Sequence, residues 1–153
     1  MIHMSAKEYQ QFIAGNATKK TSKHRNKHVY IYEDGFCANE KLDGHGAIVA
    51  KYDSVKEYKR HKELELLQRA GKISGLESQV RFLLQDGFVD GAGKKHQPSY
   101  YQADFVYIEN GKKIVEDVKG IDKKTGKPQT TATFRLKWKM LQARYPECVC
   151  KIY

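Results

Sequence analysis

The dipeptide Asn110-Gly111, set between two runs of mixed apolar and polar residues, constrains this chain more than any other feature. Both positions accept positive φ, so the pair suits the two-residue turn whose twist matches the strands it joins. The surrounding stretch YYQADFVYIENGKKIVEDVKG, residues 100–120, therefore reads as one β-hairpin. With Asn110 and Gly111 as the loop, Glu109 faces Lys112, and counting outward brings Asp104 directly opposite Asp117. Side chains opposed in this way have Cβ atoms about 4.5–5.5 Å apart, and like charges there are destabilising. Lys119, two residues beyond Asp117, projects from the same face, whereas Glu116 points to the other, opposite Phe105. Two carboxylates at that separation need a shared proton or a cation between them. Their hard oxygens suit Mg2+ or Mn2+, ions that keep coordination positions for water and phosphate. The alternative is an exposed face on which Lys119 simply pairs with Asp117. Ala103, Val106 and Val115 argue against it, because they make both faces partly apolar.

The remaining elements are read from period and punctuation. Residues 5–14 have the pattern of a short helix with a Ser5/Glu8 capping box, and the polar, basic NATKKTSKHRNK follows as an arm. Residues 1–27 are thus an appendage, and residues 28–153 the folded domain. HVYIY reads as a strand, EDG as a turn, FCA as the return and NEKLDGHGAIVAKY as irregular. A strong helix starts at Ser54 and stops at Gly71, which takes a left-handed cap at little cost. LESQVRFLL alternates as a strand, with Leu76, Val80, Phe82 and Leu84 expected on one face. After the loop QDGFVDGAGKKHQPS, the hairpin and the loop GIDKKTGKPQT, a second helix spans about Ala132 to Tyr145 and ends at Pro146. Its inner stripe is Phe134, Trp138, Leu141 and Tyr145, and CVCKIY closes as a strand. The order helix, three strands, helix, strand predicts an α/β fold, a mixed central sheet flanked by helices.

A third carboxylate has two readings. Ser54 and Glu57 stand at capping-box spacing, so Glu57 can cap its own helix. Glu57 also points within about 20° of Leu64, on the side that should face the sheet, where it would complete a metal cage with Asp104 and Asp117. His61, one turn on, reads as packing or surface rather than as a ligand. Lys137 flanks the stripe of the second helix, where it can lie over the core edge or reach a phosphate.

Composition narrows the function classes. With 28 Lys and Arg against 18 Asp and Glu, a net charge of +10 favours a polyanionic partner, nucleic acid ahead of a membrane surface. No apolar run approaches the ~18 residues that span a bilayer, and the N-terminus lacks the apolar stretch of a secretory signal, so a cytoplasmic location is expected. Three cysteines, Cys37, Cys148 and Cys150, suggest neither a disulfide framework nor a closed zinc site.

Asp104, then Asp117-Val118-Lys119, with Glu57 on a preceding helix, resembles the PD-(D/E)XK nuclease superfamily, whose restriction-endonuclease-like αβββαβ core has the element order predicted here. The phrases YDSVKEYKRHKELELLQRAGKI, LESQVRFLL, ADFVYIENGKKIVEDVKG and FRLKWKMLQARYP are similar to a family of small phage-encoded proteins. The resemblance implies a Mg2+-dependent (or Mn2+-dependent) DNA endonuclease acting in the bacterial cytoplasm on branched DNA, as a Holliday junction resolvase does, or nicking duplex. Asp104, Asp117 and Glu57 would hold the metal, Lys119 would steady the attacking water or the phosphate, and Gln79 would support the site. The sequence departs from the common motif in having Ala103 rather than Pro before Asp104, and Asp rather than Glu at 117. Lys94, Lys95, Lys123, Lys124, Lys127, Arg135 and Lys139 would contact the DNA backbone, and two symmetric cuts would call for a homodimer. The rival expectations are a non-catalytic nucleic-acid-binding protein and a nuclease-fold subunit of a phage recombination or packaging assembly.

Overall fold

Nine strands and two helices run along residues 27–153, the part of the chain described by this computed structural model. In order they are β1 (Val29–Tyr32), β2 (Cys37–Ala38), β3 (Ile48–Tyr52), α1 (Val55–Arg69), β4 (Ile73–Gln85), β5 (Phe88–Val89), β6 (Lys95–His96), β7 (Ser99–Glu109), β8 (Lys112–Asp117), α2 (Ala132–Arg144) and β9 (Val149–Ile152). The helix expected over residues 5–14, and all of the basic arm except Lys27, lie outside the described residues. The described chain divides into two compact units, one ending at Lys59 and the other beginning at Arg60. No change of composition marks this division, because it falls inside a helix. No helix among the described residues is long and apolar enough to cross a membrane.

In the first unit the strands lie in the order β2-β1-β3, all antiparallel. Val29, Ile31, Cys37, Tyr52 and Tyr58 form its core. The stretch expected to be irregular ends in β3. Ile48 and Val49 are exposed there, so backbone pairing with β1 and the packing of Ala50 and Tyr52 hold the strand, and too little alternation betrays it in the sequence.

In the second unit the residues from Arg60 finish α1 and form a four-stranded sheet ordered β4-β7-β8-β9. β9 runs parallel to β8 and the other pairs are antiparallel, so the protein is a mixed α/β structure with a mixed central sheet. α1 ends as Gly71 predicts. With φ +69° at Gly71, the Lys72 N–H donates to Leu67 O and the Gly71 N–H to Gln68 O, both carbonyls that the helix leaves unpaired. Thr131 caps α2, its hydroxyl accepting the Phe134 N–H at 3.0 Å. The predicted stripe of α2 is then buried against Val80, Phe82, Leu84, Tyr101, Ala103, Val106 and Val115. Leu64 from α1 packs with Ile73, Phe105, Tyr107 and Ile114 instead. Ile114 and Val115 are neighbours on one strand, so the two clusters occupy opposite faces of the sheet.

The hairpin adopts the expected register. Asn110 (φ 51°) and Gly111 (φ 75°) are both left-handed, as a type I′ turn requires, and Glu109 pairs with Lys112 and Phe105 with Glu116. One expectation is corrected. Val80, Phe82 and Leu84 face α2, but Leu76 packs with the α1 cluster. The switch occurs at Gln79, whose φ of 56° turns the strand over, while Ser78↔Phe105 and Val80↔Ala103 stay in step. β7 switches with it: Tyr101 and Ala103 face α2, whereas Phe105 and Tyr107 face α1. QDGFVDGAGKKHQPS, expected to be a loop, contains the short β5–β6 hairpin, which is tied by His96 Nε2 to Asp90 Oδ2 at 2.8 Å and by stacking of Phe88 on His96.

On the α1 face, Glu116 is only 1 % exposed, and it receives two bonds from Arg60 (Nε to Oε1 2.6 Å, Nη2 to Oε2 2.8 Å) and one from the Tyr107 hydroxyl at 2.7 Å. Burial works against the Arg60 charge, but the bonds to Glu116 outweigh it and hold the guanidinium above its ordinary pKa. His61 stacks on Phe105, the packing role expected of it. Removing Arg60 alone strands a buried carboxylate. Arg60→Met should therefore cost about 3–5 kcal/mol in urea unfolding, whereas Arg60→Met with Glu116→Met should recover most of the loss.

Candidate metal centre

The centre lies where β7 and β4 change face. Val106 pairs with Val115 on the α2 side, and Asp104 stands at the change of face, between Ala103 on the α2 side and Phe105 on the α1 side. The paired register of β7 and β8 ends at Phe105↔Glu116, and Asp104 and Asp117, the next residue on each strand, lie close enough for the Asp117 charge to act on the Asp104 carboxyl. Asp117 is 3 % exposed. Its Oδ2 accepts the Tyr101 hydroxyl and its Oδ1 accepts the Lys119 ammonium. Asp104 Oδ2 accepts the Val118 N–H at 2.7 Å, and Gln79 Nε2 lies 3.5 Å from Asp104 Oδ1. Gln79 Oε1 in turn accepts from Gln102 Nε2 at 2.6 Å. Thus the left-handed residue that turns β4 over also presents its amide to Asp104. Lys119 Nζ sits 4.5 Å above the Phe134 ring, a cation–π contact that steadies the ammonium beside Asp117.

Within the second unit, Asp104, Asp117, Lys119 and Gln79 are neighbours. Glu57 belongs to the first unit, where it is 5 % exposed and joins a reciprocal cap: its N–H donates to Ser54 Oγ, and its Oε2 accepts the Asp53 N–H, both at 3.1 Å. Among the described residues no three His, Cys, Asp or Glu side chains stand together as a metal-holding group. Lys137 Nζ donates to the Tyr100 carbonyl at 3.1 Å, over the edge of the core. Lys94 and Lys95 are exposed in the β5–β6 hairpin, Lys123, Lys124 and Lys127 in the loop after β8, and Arg135 and Lys139 on α2. That loop is ordered from within: Asp122 Oδ1 accepts the N–H groups of Lys124 and Thr125, which turns the lysine side chains outward. Sequence reasoning missed Tyr101, because strand alternation puts it on the face opposite Asp104 and only the change of face in β7 brings its hydroxyl to Asp117.

The electrostatics suit a cation. Burial, and then the charge of Asp117, push the Asp104 carboxyl up to about 6, against the lowering effects of the Val118 N–H, Lys119 and Gln79. Burial and the bond to Asp117 likewise hold the Tyr101 hydroxyl above its ordinary value, so it remains a donor. Two ionised carboxylates and one ammonium leave one negative charge unbalanced in a half-buried site. Mg2+ is commonly held by only one or two carboxylates, with water and substrate phosphate completing its shell, so Asp104 and Asp117 fit such an ion.

A carboxyl whose folded pKa lies above its unfolded value costs stability as pH rises past the unfolded value, and the full cost is reached above the folded one. From 3.8 to about 6, the cost of ionising Asp104 is at most roughly 3 kcal/mol, less where solvent screens it. Asp104→Asn should therefore stabilise the protein at pH 8 by about 1–2 kcal/mol in urea unfolding. The gain should shrink as pH falls from about 6 to 4 and vanish below that. A variant less stable than the parent at pH 8 would show that the pair is not in net repulsion.

Comparison with known proteins places the chain without assigning it a chemistry. No curated protein and no solved structure matches it. Residues 40–152, which carry β3, both helices and the whole four-stranded sheet, match the profile of the family described as "Protein of unknown function (DUF1064)", and the chain belongs to that family.

Proposed function

We propose that this protein is a Mg2+- or Mn2+-dependent DNA endonuclease, acting on branched or otherwise structured DNA or nicking duplex. One observation carries the reading: Asp104 feels the charge of Asp117, with Lys119 bonded to Asp117 and Gln79 beside Asp104. Support comes also from the element order α1-β4-β7-β8-α2-β9, from the resemblance of Asp104 and Asp117-Val118-Lys119 to the PD-(D/E)XK motif, and from the net charge of +10.

When bound, a divalent ion lowers the pKa of water and polarises the phosphate. The chain's own groups do the rest. Tyr101 and the Val118 N–H hold the two carboxylates in place, and the Lys119 ammonium would be displaced from Asp117 Oδ1 by an ion that takes that oxygen. Gln79, with an amide between Asp104 and Gln102, can orient the attacking water. Lys119 provides a positive charge that the transition state uses more than the ground state does. The exposed lysines of the two loops, with Arg135 and Lys139, bind the phosphate backbone and position the strand without reading sequence.

A second reading has its own support: the direct bond from Lys119 to Asp117 is what a purely structural ion pair would make. The protein would then bind nucleic acid without cutting it. Plasmid, linear duplex, single strand and four-way junction incubated with Mg2+ or with EDTA separate the two. The nuclease reading expects cleavage only with the ion, reduced about a thousandfold by Asp117→Asn and on the order of a hundredfold by Lys119→Ala, with DNA binding retained. Because a metal ligand must be deprotonated, the rate should fall as pH drops below about 6. Cleavage that survives Asp117→Asn would remove this pair from the mechanism.

A further inference from the structure

A second feature lies beside the metal centre. A groove of about 340 Å³ opens along α2 and the loop that precedes it. Its floor is apolar, made by Phe134, Trp138, Pro128 and Ile152, and its rim carries three cations, Lys127, Arg135 and Lys139, with no acid. Phe134 and Trp138 are stacked with centroids 5.4 Å apart, and the Phe134 ring is the same one that lies under Lys119 Nζ. One aromatic side chain thus belongs both to the groove and to the surroundings of the carboxylate pair. Arg135 is anchored by Nη1 to the Thr130 carbonyl at 3.0 Å, so it holds its charge at a fixed place on the rim. Lys127 and Lys139 have no acidic partner among the described residues.

We infer that this groove binds an unpaired nucleotide of a DNA strand, its base over the aromatic floor and its phosphates between the three cations. The inference rests on the nuclease reading for the identity of the polymer, and on the groove alone for its single-stranded state. A purely electrostatic phosphate track has no use for an apolar floor. An intact duplex presents base edges in its grooves and keeps the base faces stacked, so it cannot fill this one. A base freed at a branch, flap or gap offers a face, which aromatic side chains bind whatever the sequence. Phosphates on the same nucleotide complement a rim of three cations. The groove would therefore direct the neighbouring centre toward DNA with unpaired bases rather than toward continuous duplex.

The test uses a built-in reporter, since Trp138 is the only tryptophan in the chain. The full-length protein in EDTA is titrated with an oligothymidylate of about eight nucleotides, and separately with a duplex of the same length. The single strand should change Trp138 emission saturably, while the duplex should bind at least about tenfold more weakly and leave the emission unchanged. Phe134→Leu, which keeps the floor apolar but removes the ring, should weaken single-strand binding about five- to tenfold at a temperature where the variant is folded. Lys127→Glu with Lys139→Glu should weaken it by about tenfold or more and flatten its salt dependence. The inference is overturned if the duplex alters Trp138 emission as the single strand does, or if neither does. It is equally overturned if the emission follows protein concentration alone, which would assign the groove to a second copy of this chain. Metal-dependent cleavage measured on the same preparation keeps the two proposals apart. Normal cleavage with a silent Trp138 rejects the groove, and a responsive Trp138 without any cleavage rejects the nuclease.

Discussion

Two neighbouring carboxylates in a half-buried site repel each other, and a fold that keeps them there must offset the repulsion with other contacts. In this protein the offset is local and incomplete. Tyr101, Lys119, the Val118 N–H and Gln79 surround Asp104 and Asp117, yet burial and the neighbouring charge still push Asp104 up to about 6. The remaining structure can be understood as what holds that arrangement open. A type I′ turn sets the register, the α2 stripe packs behind it, and parallel pairing of β9 with β8 braces the strand that carries Asp117.

The two faces of β8 make the point by contrast. Glu116 is as deeply buried as Asp117 but is met by a bidentate Arg60 and by Tyr107, so its charge is fully answered. Asp117, one residue later, shares a single ammonium with a second carboxylate. Adjacent acids on one strand therefore have opposite characters, one closed into a structural network and the other left in electrostatic deficit. A deficit of this kind is a common property of sites that take up a cation. It is the physical ground on which the metal-centre proposal stands.

Much of this was legible in the sequence because it depends on local rules. Asn110-Gly111 permits one tight turn, and from that turn the nearness of Asp104 and Asp117 follows by counting. Gly71 and Pro146 end helices for steric reasons, and the spacing of Phe134, Trp138 and Leu141 marks a buried stripe. What was not legible depends on contacts between distant segments or on unusual backbone. A left-handed Gln79 has no signature in residue type, since glutamine is not favoured there, and so the change of face in β4 and β7 was missed along with the placing of Leu76. The Arg60 partner of Glu116 is far away in sequence, and Tyr101 reaches Asp117 diagonally rather than across the pair. Glu57 had two readings at capping-box spacing, and two of its hydrogen bonds form the cap. β3 escaped because only Ala50 and Tyr52 pack inward, too short an alternation to read.

The most direct measurement of the central claim is the stoichiometry of Mn2+ binding, followed by the loss of the free-ion paramagnetic resonance signal as protein is added at pH 7.5. The account predicts saturable binding of Mn2+ to the parent protein, displaced by excess Mg2+, and its loss when Asp117 is replaced by Asn. Equal binding by parent and variant, or none by either, would contradict it.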